Sequence, residues 1–466
     1  MSTPRPRSNT RPQRSANAPA RKREDAARPV AGKARTHPIL TRIEQVRSAL
    51  GEILQWSGPA DVALSSWLRA NPRLGGRDRH EVAEAVYDVL RHLRRYRQLA
   101  ETGRGNATRR LAILGLGAVL GHEAVGAVLD AEEAAWLAHL QTIDPLSLSP
   151  AVRHSVPDWL LEALADEPAL DALLEALNQS AALDIRVNPL KVDRETLLAE
   201  LQQAGQDSRI QATPYSPFGV RLQGRPPLGQ WSRFQDGSIE VQDEGSQLLA
   251  LLLGPKRGEM IIDFCAGAGG KTLLLGALMR STGRLYAFDV SQKRLARLKP
   301  RLARSGLSNV MPQVIASEND PRVKRLARKA HRVLVDAPCS GMGTLRRNPD
   351  LKWRQSPQSV EELVQLQARI LASAARCVSP GGRLVYATCS LLRVENEGQV
   401  EAFLAAHPDF ELLEAQSVLG DRVPDLGLST PYLRLRPDMH QTDGFFAAVL
   451  QRKVPSAEAP VLAETD

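Results

Sequence analysis

The stretch EMIIDFCAGAGGKT, residues 259–272, decides the fold of this chain. An apolar run, typical of a buried strand, ends at Asp263 and leads into a loop with glycines at 267, 269 and 270. Glycine lets the backbone approach a ligand closely, and a helix that begins near Lys271 offers free N–H groups at its N-terminus. The loop matches neither a phosphate-binding P-loop nor a G-x-G-x-x-G dinucleotide loop. Alone it predicts a tight strand-to-helix turn that can accept a ligand.

Strand and helix patterns alternate from this stretch onward. Apolar runs predict strands at 259–264, 284–289, 310–316, 332–336, 383–388 and 445–451. Amphipathic periodicity predicts helices at 271–280, 291–304 and 358–378. Such alternation is typical of a parallel, doubly wound α/β sheet. Because ligands bind such sheets at the carboxyl ends of the strands, residues that follow predicted strands are the first candidates for a functional site.

Asp289 ends the second of these strands, 20 residues after Gly269. A carboxylate about 20 residues beyond a glycine loop commonly accepts hydrogen bonds from the hydroxyls of a ribose. The loop and Asp289 together predict a site for a nucleoside cofactor. The sequence shows no clamp for a 2′-phosphate and no separate site for hydride transfer.

Two cysteines also follow predicted strands. Cys339 lies in the motif DAPCSG and Cys389 in the motif ATCS. A single cysteine in such a position is most simply a small buried side chain. Two of them beside a nucleoside site favour catalysis by thiols. Cys265 lies in the glycine loop and Cys377 on a predicted helix, and because no two cysteines form a C-x-x-C pair, we expect no metal site.

The composition excludes several classes of protein. A length of 466 residues allows two to four domains at about 150 residues each, and 43% hydrophobic residues suffice to build their cores. No apolar run reaches the roughly 18 residues of a membrane span. The N-terminus lacks the apolar region of a secretory signal, and four cysteines in the whole chain indicate a reducing compartment. We therefore expect a cytoplasmic protein that does not enter a membrane.

Most of the formal charge of +9 lies in residues 1–36. This segment holds ten Lys or Arg and two acidic residues, which gives it a charge of +8, and it has almost nothing to bury. We expect it to be a disordered basic tail. Two alternatives stay open, an arm attracted to nucleic-acid phosphates and a solubilising tail without a defined role. Residues 454–466 are expected to form a second loose tail.

Two further regions precede the sheet. Residues 37–150 have helical periodicity and predict an all-helical domain, with one helix at 78–96 whose basic side includes Arg91 and Arg94. That side can contact RNA or simply face solvent. Residues 151–245 predict linker helices and then a small α/β module. The predicted elements of the module are a strand at 183–188, a helix at 193–204, and strands at 218–222 and 238–241.

Three motifs together resemble those of the Sun-type, or Fmu-type, RNA cytosine-C5 methyltransferases: DFCAGAGGKT, DAPCSGMGTLRRNPDLKW and LVYATCSLLRVENE. The resemblance extends from about Arg186 to Phe446 and includes VQDEGS at 241–246. It implies a Rossmann-like class I methyltransferase domain at 246–453, preceded by a small RNA-binding module and a NusB-like helical domain. It also implies S-adenosylmethionine as the cofactor and RNA as the substrate, with 16S ribosomal RNA expected.

The resemblance also implies roles for individual residues. Cys389 is the nucleophile that adds to C6 of cytosine, Cys339 assists release of the methylated RNA, and Asp336 bonds the base edge or the amino group of the cofactor. The implied cofactor-binding residues are Cys265, Ala266, Gly267, Ala268, Gly269, Gly270, Lys271, Asp289, Glu318 and Asp336. The chain departs from the usual family loop CAAPGGKT, because Gly267-Ala268 replaces Ala-Pro. The third acid of the family corresponds best to Glu318, with Asp320 as the alternative.

Two other functions stay open. A tRNA cytosine-C5 methyltransferase would share the catalytic core, and only the helical domain argues against it. A non-catalytic NusB-like RNA-binding protein would need neither the two cysteines nor the cofactor loop. The basic stretch of Arg346, Arg347, Lys352 and Trp353 is expected either to grip RNA by phosphate contacts and stacking or to be an ordinary charged loop. The modified cytosine and the oligomeric state are left open.

Overall fold

The structure, a computed structural model, describes residues 37–203, 210–224 and 226–455. The predicted tail 1–36, nearly all of the tail 454–466, and the last residue of the helix predicted at 193–204 lie outside these residues. The N-terminal part is helical. Its helices are α1 (Pro38–Ile53), α2 (Ala60–Ala70), α3 (Gly76–Arg91), α4 (Leu93–Glu101), α5 (Ala107–Leu120), α6 (His122–Gly126) and α7 (Ala131–Leu140).

The prediction of one helix over 78–96 is wrong, because the chain breaks at His92 into α3 and α4. In a continuous helix the N–H groups of Arg94 and Arg95 would bond to carbonyls four residues earlier. Here both donate to the Ser155 hydroxyl, at 2.8 and 3.4 Å. Periodicity could not predict the break, since the group that stabilises it lies far along the chain.

The break also frees two carbonyl groups that the rest of the chain uses. The carbonyl of Leu90 accepts a hydrogen bond from the Trp353 indole at 2.8 Å, and that of Arg91 accepts one from the Lys352 ammonium at 2.8 Å. The Arg91 guanidinium in turn donates to a carbonyl of the same distant segment, that of Arg346, at 2.7 Å. The helical part is therefore joined to the C-terminal part through buried polar contacts.

Three short helices and a four-stranded module follow. The helices are α8 (Pro150–Arg153), α9 (Asp158–Ala163) and α10 (Leu170–Leu177). The module contains β1 (Leu183–Val187), α11 (Arg194–Gln203), β2 (Ile210–Ala212), β3 (Gly219–Leu222), α12 (Ser232–Gln235) and β4 (Ile239–Val241). Its sheet is antiparallel in the order β2-β3-β1-β4. The three-residue β2 was not predicted, because it is too short to show alternation. The predicted limits between these parts, at 37, 151 and 246, stay predictions.

The C-terminal part is a large mixed sheet with helices between its strands. Its strands are β5 (Met260–Asp263), β6 (Arg284–Asp289), β7 (Val310–Val314), β8 (Ala330–Asp336), β9 (Val378–Thr388), β10 (Phe410–Leu413), β11 (Leu433–Leu435) and β12 (Phe445–Arg452). Its helices are α13 (Glu244–Leu253), α14 (Gly270–Leu278), α15 (Gln292–Ser305), α16 (Pro321–Lys324), α17 (Leu351–Arg354), α18 (Pro357–Cys377), α19 (Glu397–Ala406), α20 (Ala415–Leu419) and α21 (Pro437–His440). In the described residues of the whole chain, short 3₁₀ turns lie at Pro145–Ser147, Leu228–Gln230, Met342–Thr344, Arg393–Glu395 and Gly420–Arg422.

The strand order is β10-β12-β9-β8-β5-β6-β7, with β11 paired to β12. Strands β5 to β9 run parallel, whereas β12 runs antiparallel to β9 and β10 antiparallel to β12. All six predicted strands are present, and the doubly wound α/β fold with a helical N-terminal region is confirmed. The short strands β10 and β11 were not predicted.

Two apolar cores lie on opposite faces of this sheet. Residues of α13, α14, α15 and α20 build one core, and residues of α16, α18 and α19 build the other. Strands β5 and β8 are neighbours, but the chain proceeds from them toward opposite edges of the sheet. Such a switch point opens a crevice at the carboxyl ends of the strands, which is where ligands bind in folds of this kind. In the part of the chain that the structure describes, no helix is long and apolar enough to cross a membrane.

Candidate active site

The glycine loop turns tightly between β5 and α14. Gly267 and Gly269 have φ values of 57° and 83°, which side chains rarely adopt. A Cβ atom on Gly269 would lie 2.2 Å from Leu298 Cδ1 of α15. Arg301 of the same helix donates to the Ala268 carbonyl at 2.6 Å. The loop is therefore held against α15, and only small residues fit this approach.

Asp289 is tied to this loop at the end of β6. Its side chain is buried at 3% exposure and accepts hydrogen bonds from the backbone N–H groups of Gly267, at 2.8 Å, and Ser291, at 2.7 Å. Arg294 lies 3.4 Å from the same carboxylate. These contacts fix the carboxylate at the carboxyl ends of the strands, where the sequence places the ribose of a cofactor.

Two adjoining cavities open at the switch point. The cysteine cavity, of about 390 Å³, is lined by the predicted site residues Cys265, Asp289, Glu318, Asp336, Cys339 and Cys389. The lysine cavity, of about 370 Å³, is lined by the predicted residues Cys265, Ala266, Gly267, Ala268, Gly270, Lys271 and Asp336. Of the predicted residues, Gly269 alone lines neither cavity, because it faces Leu298 of α15. The structure thus brings together residues from the ends of five strands, β5 to β9.

The two predicted catalytic cysteines lie side by side. Both are reduced, and their Sγ atoms are 3.3 Å apart. The hydrogen bond with Cys389 raises the pKa of the Cys339 thiol well above its ordinary value, and burial adds to the shift. The two thiols share one hydrogen bond, so each lies within direct reach of the other.

Lys271 and Asp336 form an ion pair at the border of the two cavities. Lys271 Nζ donates to Asp336 Oδ2 at 2.7 Å. Burial alone would lower the pKa of Lys271, but the Asp336 carboxylate outweighs this effect and raises the pKa above its ordinary value. The Phe445 ring at the start of β12 lies 5.9 Å from the same Nζ. The lysine stays charged and can hold an acceptor atom of a ligand.

Asp263 at the end of β5, to which the sequence analysis assigns no role in the site, is a buried acid that lines the lysine cavity. The Thr272 hydroxyl donates to Oδ2 at 2.6 Å, while Oδ1 has no partner among the described residues. Burial raises the pKa of Asp263 to about 7. Since it lines the lysine cavity, its open acceptor can take a donor from a bound ligand.

Two acids, Glu318 and Asp320, follow β7, and the structure places Glu318 rather than Asp320 at the cavity. Glu318 lines the cysteine cavity. Asp320 instead begins α16 and accepts hydrogen bonds from the backbone N–H groups of Ala316 and Arg322, at 2.9 and 2.8 Å. Because its oxygens are used in capping, Asp320 cannot easily serve a ligand.

The interpretation of the stretch 346–353 as an RNA grip is corrected. Lys352 is buried at 1% exposure, and its ammonium also bonds to the Asn178 amide oxygen at 2.8 Å. Arg347 bonds to Asp443 at 2.6 Å and to Asp243 at 2.8 Å. Together with the bonds from Lys352 and Trp353 to the α3–α4 break, these bonds make the stretch 346–353 a joint that connects the helical part to the sheet domain. Its basic composition was misleading, because sequence alone does not show which cations are paired.

Glu395 is a buried residue of the candidate site that the sequence did not predict. It is fully buried, and its carboxylate bonds to Ser340 and Ser390, the residues that directly follow the two predicted catalytic cysteines. The available signal was its position six residues after Cys389 in the motif LLRVENE. A glutamate in such a motif would ordinarily be assigned to the surface. The described residues also contain no group of three side chains placed to hold a metal ion.

Comparison with known proteins places these motifs in a family. The model of the 16S rRNA methyltransferase RsmB/F family matches residues 250–451, and a model of the ferredoxin-like domain of RsmF/B-like methyltransferases matches residues 156–228. A crystal structure of a methyltransferase homologue from Pyrococcus horikoshii is 29% identical, with a TM-score of 0.57, and covers 66% of this chain and 100% of its own.

Two relatives extend the similarity beyond the catalytic part. The probable ribosomal RNA small subunit methyltransferase B of Synechocystis sp. is 37% identical over 321 residues, which is 66% of this chain and 70% of the relative. The ribosomal RNA small subunit methyltransferase B of Vibrio vulnificus is 30% identical over 441 residues, which is 88% of this chain and 99% of the relative. The resemblance of the motifs is thus confirmed over most of the sequence, and the chain belongs to the RsmB/F family of ribosomal RNA small subunit methyltransferases.

Proposed function

We propose that the protein transfers a methyl group from S-adenosylmethionine to C5 of a cytosine in 16S ribosomal RNA. The observation that carries the proposal is the pair of thiols, Cys339 and Cys389, 3.3 Å apart in a cavity that also contains Asp289. Cytosine C5 is a poor nucleophile until a thiolate adds to C6 of the ring. A methyltransferase site with two adjacent thiols fits this reaction, whereas methylation of an amino group would need none.

The cysteine cavity fits the cofactor. Asp289 offers a carboxylate for the ribose hydroxyls, and Glu318 lies on the same wall. Apolar side chains of Ile315 and Ile370 complete that wall, as an adenine ring requires. The bound cofactor supplies an electrophilic methyl group. The loop 265–271 and Asp336 hold it at the border with the lysine cavity.

The target cytosine fits between the cysteines and the ion pair. Asp336 and Lys271 present an acceptor and a charged donor, which match the amino group and the ring acceptors of a cytosine edge. The Cys389 thiolate adds to C6, and the electron pair moves to C5, which then takes the methyl group. Loss of the C5 proton to a base then returns the electron pair to the ring, and the C6–S bond breaks. Cys339, whose pKa is raised by its contact with Cys389, assists this release.

Two alternatives are weaker. A tRNA cytosine methyltransferase would use the same pocket, but relatives that match up to 88% of this chain are named for the small ribosomal subunit. A non-catalytic RNA-binding protein would gain nothing from two adjacent thiols in a cavity. The small-subunit RNA enzyme is therefore the function that the site and the relatives support best.

Methylation assays on purified RNA test the proposal. Wild-type protein with methyl-labelled S-adenosylmethionine should label naked 16S rRNA, and bisulfite sequencing should place the label on cytosine. The Cys389→Ala variant is the matched control and should label nothing. Preferential labelling of tRNA would favour the first alternative. Binding of RNA without any labelling would favour the second.

A further inference from the structure

The two cysteine loops share one buried acid. Glu395 Oε1 accepts a hydrogen bond from the Ser340 backbone N–H at 2.8 Å. Glu395 Oε2 accepts bonds from the hydroxyls of both Ser340 and Ser390, which are themselves 3.2 Å apart. Because each serine directly follows a catalytic cysteine, one carboxylate fixes the backbone beside both thiols.

The contacts on the other side of each cysteine complete this clamp. Gln367 donates to Glu395 Oε1 and to the Pro338 carbonyl, both at 3.0 Å, and Pro338 directly precedes Cys339. The Tyr386 hydroxyl donates to the Glu395 carbonyl at 2.6 Å. Glu395 is thus anchored to β9 and α18 while it holds the two loops.

The thiols themselves are not held by other side chains. Within the described residues, the hydrogen-bond partner of the Cys339 and Cys389 Sγ atoms is the other Sγ. Their separation of 3.3 Å therefore depends on where the backbone of each loop is placed. A backbone bond from the Gly343 N–H to the Cys389 carbonyl, at 2.9 Å, also joins the two loops. Glu395 is the side chain that bonds to both of them next to the cysteines.

We propose that Glu395 is a positioning residue that sets the distance between the nucleophilic and the releasing thiol. Its role in catalysis rests on the proposed function, but its effect on the distance between the thiols does not. When the loops separate, Cys389 can still add to cytosine, whereas Cys339 no longer reaches the adduct to assist its release. Misplacement of a reacting group by about 1 Å can cost up to 100-fold in rate.

The test compares Glu395→Gln with Glu397→Gln. Glu397 is a matched control, because it is also nearly buried but pairs with Arg434 and does not contact the cysteine loops. In the first assay diamide oxidises the native protein without RNA, and mass spectrometry follows formation of the Cys339–Cys389 disulfide. Glu395→Gln should form it about tenfold more slowly than wild type, and Glu397→Gln at the wild-type rate.

The second assay measures turnover on RNA. Glu395→Gln should lower kcat about 10- to 100-fold and accumulate a covalent protein–RNA adduct on denaturing gels, with an unchanged Kd for S-adenosylmethionine. Ser390→Ala, which removes one bond of the clamp, should show a smaller effect in the same direction. If Glu395→Gln does not fold, the rate of thiol oxidation in Ser390→Ala decides the question.

Wild-type rates of thiol oxidation in both Glu395→Gln and Ser390→Ala would overturn the proposal. So would a loss of turnover in Glu395→Gln without any adduct. If the wild-type protein methylates no RNA, the proposed function fails, but the oxidation rates still decide whether Glu395 sets the thiol distance.

Discussion

We propose different roles for two chemically identical side chains that contact each other. The hydrogen bond with Cys389 and burial raise the pKa of the Cys339 thiol. Family resemblance implies that Cys389 is the nucleophile, because the family uses the cysteine of its TCS motif. Substitution of each cysteine separates the two roles.

Cys389→Ala should abolish methylation and trap no RNA, because no bond to C6 can form. Cys339→Ala should still add to cytosine and transfer the methyl group, and should accumulate enzyme joined to methylated RNA. Denaturing gel electrophoresis detects this adduct as a slow band. The double variant Cys339→Ala/Cys389→Ala is the control and should show no band. An adduct in Cys389→Ala alone would reverse the two roles.

Asp289→Ala should weaken the binding of S-adenosylmethionine. A hydrogen bond to a charged group contributes about 1.5–3 kcal/mol, which corresponds to a rise in Kd of roughly 10- to 150-fold. Isothermal titration calorimetry measures this change. Asp320→Ala is a suitable control, because Asp320 caps α16 and should leave Kd unchanged. Unchanged affinity in Asp289→Ala would remove this carboxylate from the cofactor site.

The positions of the glycine loop, Asp289 and both cysteines could be predicted because each follows a strand with a clear apolar run. They lie close together because the carboxyl ends of parallel strands meet at one edge of the sheet. Glu395 could not be predicted, since burial of an acid depends on donors from three other segments. Lys352 was misjudged for the same reason, because its partners lie in the helical part and in the linker.

At the scale of single elements, α15 connects the module to the site. The helix Gln292–Ser305 has six basic residues and no acidic one. Arg301 and Arg304 bond to Glu240 of the module, whereas Arg294 near the other end lines both cavities. At 100° per residue, Lys293 and Arg297 lie on this same side of the helix. Both are exposed and form no ion pair within the described residues. This side is suited to contact the phosphates of an RNA that reaches the pocket.

Lys293→Glu/Arg297→Glu should weaken RNA binding and flatten its salt dependence. Each phosphate contact that is lost lowers the slope of log K against log salt by about 0.7–0.9, so we expect a decrease of roughly one to two. Filter binding at several salt concentrations gives the slope. The double variant Lys299→Glu/Lys324→Glu is matched in charge but lies on other exposed surfaces, and its slope should change less. Equal slopes in the two variants would contradict a specific role of α15.

Element prediction succeeded where one periodicity extended over a whole element. The six predicted strands of the large sheet show apolar runs, whereas β2 of the module and β11 of the large sheet have three residues each. The break at His92 interrupts a helical pattern that continues through it. Hydrogen bonds to the Ser155 hydroxyl and from the Trp353 indole stabilise the break, although the local sequence favours a continuous helix.

At the scale of the whole molecule, the joint between the helical part and the sheet domain contains an unusual buried lysine. Burial, with Arg91 and Arg95 nearby, lowers the pKa of Lys352 well below its ordinary value of 10.5. Between the lowered and the ordinary pKa, the unfolded chain binds more protons than the folded one. The stability of the joint therefore rises with pH through this window. Sequence alone could not predict the joint, because it forms only when segments from three parts of the chain meet.

Lys352→Met should remove this pH dependence. The variant loses bonds to two acceptors, which lowers Tm at every pH, but it no longer buries a titrating ammonium. The difference in Tm between wild type and variant should therefore grow in favour of the wild type as the pH rises toward 10.5, the ordinary pKa of lysine. Scanning calorimetry at several pH values measures it, with Lys299→Met as an exposed control. A difference that is constant with pH would show that Lys352 is equally protonated in both states.

The position of β12 links this architecture to how the protein is made. This strand is near the end of the chain, yet it lies between β9 and β10, and it brings Phe445 to Lys271. The N–H of Gly444 just before it bonds to the Gly343 carbonyl at 2.8 Å, beside the Cys339 loop. Asp443, just before β12, lines the lysine cavity. During translation both thiols are synthesised before Asp443 and β12. An enzyme that we propose to modify ribosomal RNA therefore completes its pocket only after β12 has been made and has joined the sheet.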